Sequence, residues 1–151
     1  MLRIHGAIEC LQRLSDAFGE RRRQLASSVG LTEHQWGVLE EISSEHFMPS
    51  MFARERESSA AAVSKTLRQL IDKDLVSVTV RPNDGRQRKY LLSERGARIM
   101  NQLREERANA IAAIWMSFDD DELATFTDFG NRLTDALEEY GQQTSKKEAH
   151  G

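Results

Sequence analysis

The sequence predicts a mostly α (α+β) fold, and three observations lead to this prediction. Apolar residues recur at helical spacing over most of the 151 residues. Residues 75–80 instead alternate with a period of two and are rich in β-branched side chains, as expected of a strand. The turn signal Pro82-Asn83-Asp84-Gly85 follows and predicts a hairpin. We therefore expect several helices and one small two-stranded sheet.

Length and composition indicate one folded domain without covalent staples. Hydrophobic residues make up 39% of the chain and charged residues 30%, an ordinary balance for a globular protein. Cys10 is the single cysteine, which excludes an internal disulfide. No apolar run approaches the roughly 18 residues of a membrane span, and the N-terminus lacks the pattern of a signal peptide. A cytoplasmic protein with no membrane partner is expected.

Charge is distributed unevenly along the chain. Residues 54–98 carry 11 basic and 6 acidic side chains, a net charge of +5. The other 106 residues carry 10 basic and 18 acidic side chains, a net charge of −8. A basic centre within an acidic frame indicates an anion-binding surface, with nucleic acid as the leading ligand. A solvated surface with an uneven charge distribution is the alternative.

Capping signals place the helices of the first half. An apolar stripe at residues 4–25 predicts a long amphipathic helix that ends near Gly30. Thr32 and Gln35 have the spacing of a capping box that starts a second helix. Pro49 is suited to the first turn of a short third helix.

A fourth helix completes a helix-turn-helix outline. Ser59 is placed to cap it, about three residues after the third helix ends, and this spacing is typical of the motif. The positions expected on its buried side are Val63, Leu67, Leu70 and Ile71.

The second half of the chain begins with the predicted hairpin. Its return strand is residues 90–92, and residues 86–89 form a basic tip. Ser93 is expected to cap a fifth helix that runs through Trp115. Asp119 and Glu122 predict a second capping box at the start of the last helix. A flexible tail is expected at residues 144–151.

The exposed side of the fourth helix carries residue types that bind DNA. Small residues in its first turn permit close approach to a groove, and Lys and Arg bind guanine O6 and N7. The alternative is a solvated face that contacts nothing. The predicted contact residues are Ala60, Ala61, Ser64, Lys65 and Arg68.

The hairpin supplies a second set of candidate DNA contacts. An arginine at its tip, Arg86, is placed to enter a minor groove, where negative potential is concentrated in A·T tracts. Asp84 is two residues away and can orient that guanidinium. Arg81, Arg88 and Lys89 are expected to contact phosphates. An exposed loop with solubilising charge is the alternative.

Together, these residues resemble the MarR (multiple antibiotic resistance regulator) family of winged helix-turn-helix repressors. Five motifs occur in the family's order and spacing. They are Leu31-Thr32-x-x-Gln35-Trp36-x-x-Leu39, Ala53 followed ten residues later by Val63-Ser64-Lys65, Leu75-Val76, Asp84-x-Arg86, and Leu92-Ser93-x-x-Gly96. The chain departs from the family at Arg56, usually apolar, and at Glu57 and Ser58, usually glycine and leucine.

The resemblance implies a homodimer in which residues 1–30 and 99–143 form a helical dimerisation region and residues 31–98 form the DNA-binding domain. Apolar stripes in the terminal helices agree with this, because one small domain cannot cover them all. Two copies would then read a pseudo-palindromic site in double-stranded DNA. The resemblance also implies a small effector, often aromatic. Its candidate pocket residues are Trp36, Phe47, Met48, Met51 and Trp115, which ordinary core packing explains equally well.

Enzymatic and metal-binding functions are not predicted. No catalytic, phosphate-binding or metal-ligand motif is present, and no cofactor is expected. The acidic run 119–122 is interpreted as helix capping. Cys10 is interpreted as a half-buried cysteine, with a redox-responsive regulator as one alternative function. A winged-helix module that binds only proteins is the other alternative.

Overall fold

A computed structural model describes residues 1–44, 47–56, 58–80 and 88–151. Within these residues the chain is helical apart from one antiparallel pair of strands. The mostly α (α+β) prediction is therefore confirmed. The elements are α1 (Leu2–Ser28), α2 (Glu33–Ser43), α3 (Pro49–Glu55), α4 (Ala60–Asp72), β1 (Val76–Val80), β2 (Arg88–Leu92), α5 (Glu94–Ala113), a 3-10 helix (Trp115–Ser117) and α6 (Asp120–Ala149).

The chain forms two compact units, Met1–Arg107 and Ala108–Gly151. The first unit contains a continuous apolar core at which α1, α2, α3, α4, β1 and α5 all contribute buried residues. In the second unit, every residue is at least partly exposed. No helix in the described part of the chain is long and apolar enough to cross a membrane.

Side-chain caps start the helices where the sequence predicts them. The Thr32 hydroxyl accepts the Gln35 backbone N–H, and the Gln35 side chain accepts the Thr32 N–H, each at 3.1 Å. Ser59 accepts the Ala62 N–H at 3.0 Å, and Ser93 accepts the Gly96 N–H at the same distance. These bonds satisfy helix N–H groups that have no partner within the helix. Three predicted caps are thereby confirmed.

Two helices end through the same left-handed turn. Gly30 follows α1 with φ of 76°, and Asp74 follows α4 with φ of 58°. After each, a 6→1 backbone bond closes the turn: Leu31 N–H to Ala26 O and Leu75 N–H to Leu70 O, both at 2.9 Å. Glycine adopts this φ without steric cost, whereas an aspartate tolerates it less well. The predicted interruption at Gly30 is confirmed as this turn.

Three local predictions are wrong. Ile71 is 38% exposed, because at 100° per residue it lies about 80° around α4 from Val63, at the edge of the buried face. Trp115 lies in the 3-10 helix, since α5 ends at Ala113. Asp119 makes no side-chain capping bond. Three acids in the first turn of α6 still complement the positive end of its helix dipole.

The C-terminal helix is longer than the sequence predicts. It runs to Ala149 and so includes most of the predicted tail at residues 144–151. Lys146 and Lys147 lie in its last turn, where positive charge is favourable to the helix dipole.

Candidate nucleic-acid interface

Helix α4 has one buried face and one exposed face. Val63, Thr66, Leu67 and Leu70 are buried against the core. The five residues predicted to contact DNA are all exposed on the other side of the helix, namely Ala60, Ala61, Ser64, Lys65 and Arg68. The small residues lie in the first turn and the two cations follow. This arrangement leaves the whole predicted face free to enter a groove.

A hydrogen bond from α2 holds α4 on its buried side. The His34 Nδ1 atom lies 2.7 Å from Thr66 Oγ1. The Thr66 hydroxyl donates to the Ala62 carbonyl at 3.1 Å, so Nδ1 carries the proton that links the two side chains. The buried Nε2 atom of His34 has no hydrogen-bond partner among the described residues.

A second polar cluster joins α4 to the turn between α1 and α2. Buried Gln35 donates through Nε2 to Gln69 Oε1 at 3.0 Å. Its Oε1 atom accepts a bond from Lys73 Nζ at 3.1 Å, and Nζ also donates to the Gly30 carbonyl at 2.7 Å. Both polar atoms of the Gln35 side chain thus connect it to α4 residues or to Lys73, and Oε1 also completes the cap. Sequence reasoning identified only the cap, although Thr66, Gln69 and Lys73 form a polar stripe spaced i, i+3, i+7.

Helix α3 precedes α4 and supplies further cations. Phe52 and Ala53 are buried, whereas Arg54 is exposed in the last turn of α3 and was not among the predicted contact residues. Arg56 replaces an apolar residue of the family pattern. Its guanidinium lies 3.7 Å from the Glu41 carboxylate and 5.5 Å from the Phe52 ring centre. The arginine therefore covers the ring with its cation and connects α3 to α2.

The hairpin, here called the wing, comprises β1 and β2. Val78 pairs with Tyr90 and Val80 with Arg88. Arg88 and Lys89 are exposed strand residues and not part of a tip, because their backbones continue the ladder opposite β1. The placement at the tip was wrong for these two residues. Arg81, Asp84 and Arg86 lie outside the described residues.

The base of the wing is attached tightly to α5. The Ser93 N–H donates to the Leu75 carbonyl at 3.0 Å, and the Ser93 hydroxyl donates to the Asp74 carbonyl at 2.6 Å. Gly96 is buried directly against the Leu75 carbonyl, where any Cβ atom would clash. The wing therefore leaves the core at a defined point.

The predicted effector residues have different environments. Trp36 is 3% exposed in the core, with the Arg22 guanidinium 4.3 Å from its ring centre. Phe47 packs against the core, while Met48 and Met51 are exposed. Trp115 belongs to the second unit and is 40% exposed. A cavity of about 540 Å³ beside α2 is lined by none of them; its lining is Arg23, Leu31, Thr32, Glu33 and His34.

Cys10 is exposed, which corrects the prediction of a half-buried thiol. The reason is that residues 1–18, which include most of α1, are all exposed within the unit. Among the residues that the structure describes, no group of three potential metal ligands occurs.

Comparison with known proteins relates part of this chain to a family. Residues 29–87 match the MarR family model. Those residues contain the capped α2, the helix-turn-helix and β1. This segment is similar to the MarR family. No curated protein matches the chain significantly.

Solved structures extend the MarR likeness over nearly the whole fold. A crystallised MarR family transcription regulator has a TM-score of 0.81 at 18% identity, covering 93% of each chain. MarR of Staphylococcus aureus, in complex with salicylate and kanamycin, has a TM-score of 0.75 at 16% identity, covering 91% of this chain and 94% of that one. A mutant MepR of S. aureus bound to an oligodeoxyribonucleotide has a TM-score of 0.63 at 15% identity, covering 87% and 97%. The fold is that of MarR family transcription regulators.

Proposed function

We propose that the protein is a sequence-specific DNA-binding transcriptional regulator, acting as a homodimeric repressor at a pseudo-palindromic operator. The observation that carries this proposal is the exposed face of α4. Five residues suited to a DNA groove are free there, while two polar clusters and the core hold the opposite side. A rigidly held helix with a free polar face is the usual element for reading a major groove.

Each residue of the α4 face has a proposed role. Ala60 and Ala61 let the helix start approach the groove closely. Ser64 binds a base edge or a phosphate. Lys65 and Arg68 bind guanine O6 and N7, the commonest base-specific contact.

The wing is proposed to contact the DNA backbone and the minor groove. Arg88 and Lys89 project cations from β2 and would bind phosphates, as would Arg81. Arg86, oriented by Asp84, would enter the minor groove. The minor-groove proposal rests on the sequence, and the phosphate proposal for Arg88 and Lys89 is also supported by their exposure.

Dimerisation is proposed through the terminal helices. Large apolar side chains of α1 are exposed along one stripe, and α6 exposes others in its own unit. Contiguous exposed apolar surface of this kind is typical of an interface. The members of these stripes are Ile4, Ile8, Leu11, Leu14 and Phe18 on α1, and Phe126, Phe129, Leu137 and Tyr140 on α6. A second protomer packed against these stripes would hold the two α4 helices about one DNA turn (~34 Å) apart.

Release by a small, often aromatic, ligand is the remaining part of the proposal. The structure of the S. aureus MarR with salicylate supports a ligand in that relative. In the first unit the candidate contacts are half-buried Phe47 and the exposed side chains of Met48 and Met51. Trp115, in the second unit, remains a candidate from the sequence alone. Buried Trp36 would need to move to reach a ligand.

Fluorescence anisotropy tests the DNA-binding proposal. The protein is titrated against the duplex upstream of its own gene and against a scrambled duplex, at about 150 mM salt. A preference of about 10³-fold or more is expected of a specific regulator. Equal, weak and salt-insensitive binding to both duplexes would favour the alternative of a winged-helix module that binds proteins. No binding at any salt concentration would contradict the proposal.

The exposure of Cys10 supports one alternative trigger, a redox response. Substitution Cys10→Ser separates the two triggers. We expect unchanged operator binding and an unchanged response to peroxide in this variant. A wild-type protein that leaves DNA on peroxide treatment, with a Cys10→Ser variant that does not, would establish the redox trigger instead.

A further inference from the structure

Four aromatic rings form a continuous chain from the wing to α2. Tyr90 of β2 and Phe47, in the connection before α3, have ring centres 5.9 Å apart at 81°. Phe47 and Phe52 are also 5.9 Å apart, at 63°, and Phe52 is 6.1 Å from His34 at 61°. Edge-to-face contacts at these distances are favourable and depend on ring orientation.

This row of aromatic rings is connected to α4 through His34. His34 donates to Thr66 of α4 over 2.7 Å, so contacts lead without a gap from the middle of the wing to the buried side of the proposed DNA-reading helix. Phe52 is buried, and Phe47 and Tyr90 are half-buried against the same core. The rings are therefore held by packing and are not free to reorient independently.

The wing contacts the rest of its unit both at its base and partway along β2. Ser93 and Gly96 hold its base against Leu75. Tyr90 precedes Leu92 by two residues in β2 and so lies about 7 Å farther from the base of the wing. A hairpin attached only at its base can swing as a lever, and a contact partway along it restricts that swing. α2 also contacts β2, and Phe47 supplies the aromatic contact at Tyr90.

We propose that Phe47 is a positioning residue that braces the wing through Tyr90 and thereby fixes the orientation of the wing relative to α4. The consequence for DNA binding rests on the proposed function: α4 and the wing would meet the duplex as one preformed surface. Loss of the brace would leave both sets of contacts intact but require the wing to be ordered on binding, which weakens affinity.

The test measures wing orientation directly and without DNA. Nitroxide labels are attached in the full-length protein at Asp72→Cys on α4 and Thr79→Cys on β1, both exposed positions, in a Cys10→Ser background. Labelled protein is diluted into an excess of unlabelled protein, and the distance distribution between labels is measured by pulsed electron paramagnetic resonance. Variants Phe47→Leu and Tyr90→Leu each remove one ring, and Phe47→Tyr keeps it.

We expect a narrow distribution for the parent and for Phe47→Tyr, and a broad one for Phe47→Leu, Tyr90→Leu and the double variant alike. Circular dichroism confirms that each variant is folded. A distribution that stays narrow in folded Phe47→Leu would overturn the proposal. So would broadening that is additive in the double variant, since one shared contact can be lost only once.

DNA affinity supplies the second readout. On a duplex selected by the protein from random double-stranded DNA, Phe47→Leu and Tyr90→Leu are expected to lose about two- to tenfold in affinity. An unchanged affinity together with a broadened distance distribution would contradict the consequence for DNA binding. If the parent selects no sequence, the proposed function fails, while the distance distributions still decide whether Phe47 braces the wing.

Discussion

His34 and Thr66, 32 positions apart in the sequence, are joined by a 2.7 Å hydrogen bond that links α2 to the buried side of α4. The Thr66 hydroxyl is both acceptor and donor, since it also bonds to the Ala62 carbonyl. The proposed DNA-reading helix is thus held to α2 by a polar contact as well as by its apolar residues, and the Gln35–Gln69 bond is a second such contact.

The first prediction concerns this contact. Thr66→Val keeps the shape of the side chain but removes the acceptor for His34, which leaves a largely buried donor unsatisfied. The free energy of unfolding, measured by urea denaturation, is expected to fall by about 1–3 kcal/mol. Thr127→Val is the matched control, because Thr127 makes a similar bond to Leu123 O at an exposed site. Its effect should stay within about 0.5 kcal/mol; equal effects of the two substitutions would contradict the prediction.

Gly96 provides a second prediction, on the base of the wing. In Gly96→Ala the new methyl group clashes with the Leu75 carbonyl, so we expect a loss of at least about 2 kcal/mol in the free energy of unfolding. Gly37→Ala is the control within α2, where an added Cβ meets nothing within 4 Å. Helix propensity alone should make that variant more stable by about 0.5–1 kcal/mol. A Gly96→Ala protein as stable as the parent would show that the wing base can shift freely.

A third prediction separates base reading from phosphate binding. Arg68→Ala is expected to cost about 1–3 kcal/mol on the preferred duplex and to relax the preference at one base position. Arg88→Ala should weaken binding to all duplexes alike. It should also reduce by about one the slope of the logarithm of affinity against the logarithm of salt concentration. Arg132→Ala, an exposed arginine paired with Asp128 in α6, is the control. Equal losses for Arg68→Ala and Arg88→Ala on every duplex would show that the assigned roles are wrong.

The fourth prediction concerns assembly. Ile8 is exposed in the middle of the apolar stripe of α1, and Ile8→Glu places a charge where a twin would pack. In sedimentation experiments at micromolar concentration, we expect the parent to be a dimer and this variant to shift towards monomer. Glu9→Gln, one position away and outside the stripe, should remain dimeric. A monomeric parent would contradict the proposed homodimer.

Local chemistry explains what the sequence predicts correctly. The caps at Thr32, Ser59 and Ser93 join atoms that are three residues apart. The end of α1 at Gly30 depends on one backbone angle. Periodicity in the same way predicts the buried side of α4 at Val63. Such features depend on neighbours in the chain, which the sequence displays directly, and their order along the chain was enough to indicate the resemblance to the MarR family.

Periodicity also predicted the exposed face of α4, because a buried stripe at helical spacing leaves the remaining positions outside. Ile71 shows that periodicity does not predict the width of the buried face. Its spacing is compatible with burial, but the width of the buried face depends on which helices pack against α4, and here the side chain remains 38% exposed.

Only the tertiary structure decided which distant side chains meet. Gln35 with Gln69, Lys73 with Gly30, and His34 with Thr66 are separated by 34, 43 and 32 positions. No periodicity encodes such pairs, because they arise from how helices pack and not from the path of any one helix. The ring contact between Phe47 and Tyr90 has the same origin. The sequence by itself therefore determined the elements and the candidate DNA-binding face, whereas long-range packing determined how that face and the wing are held.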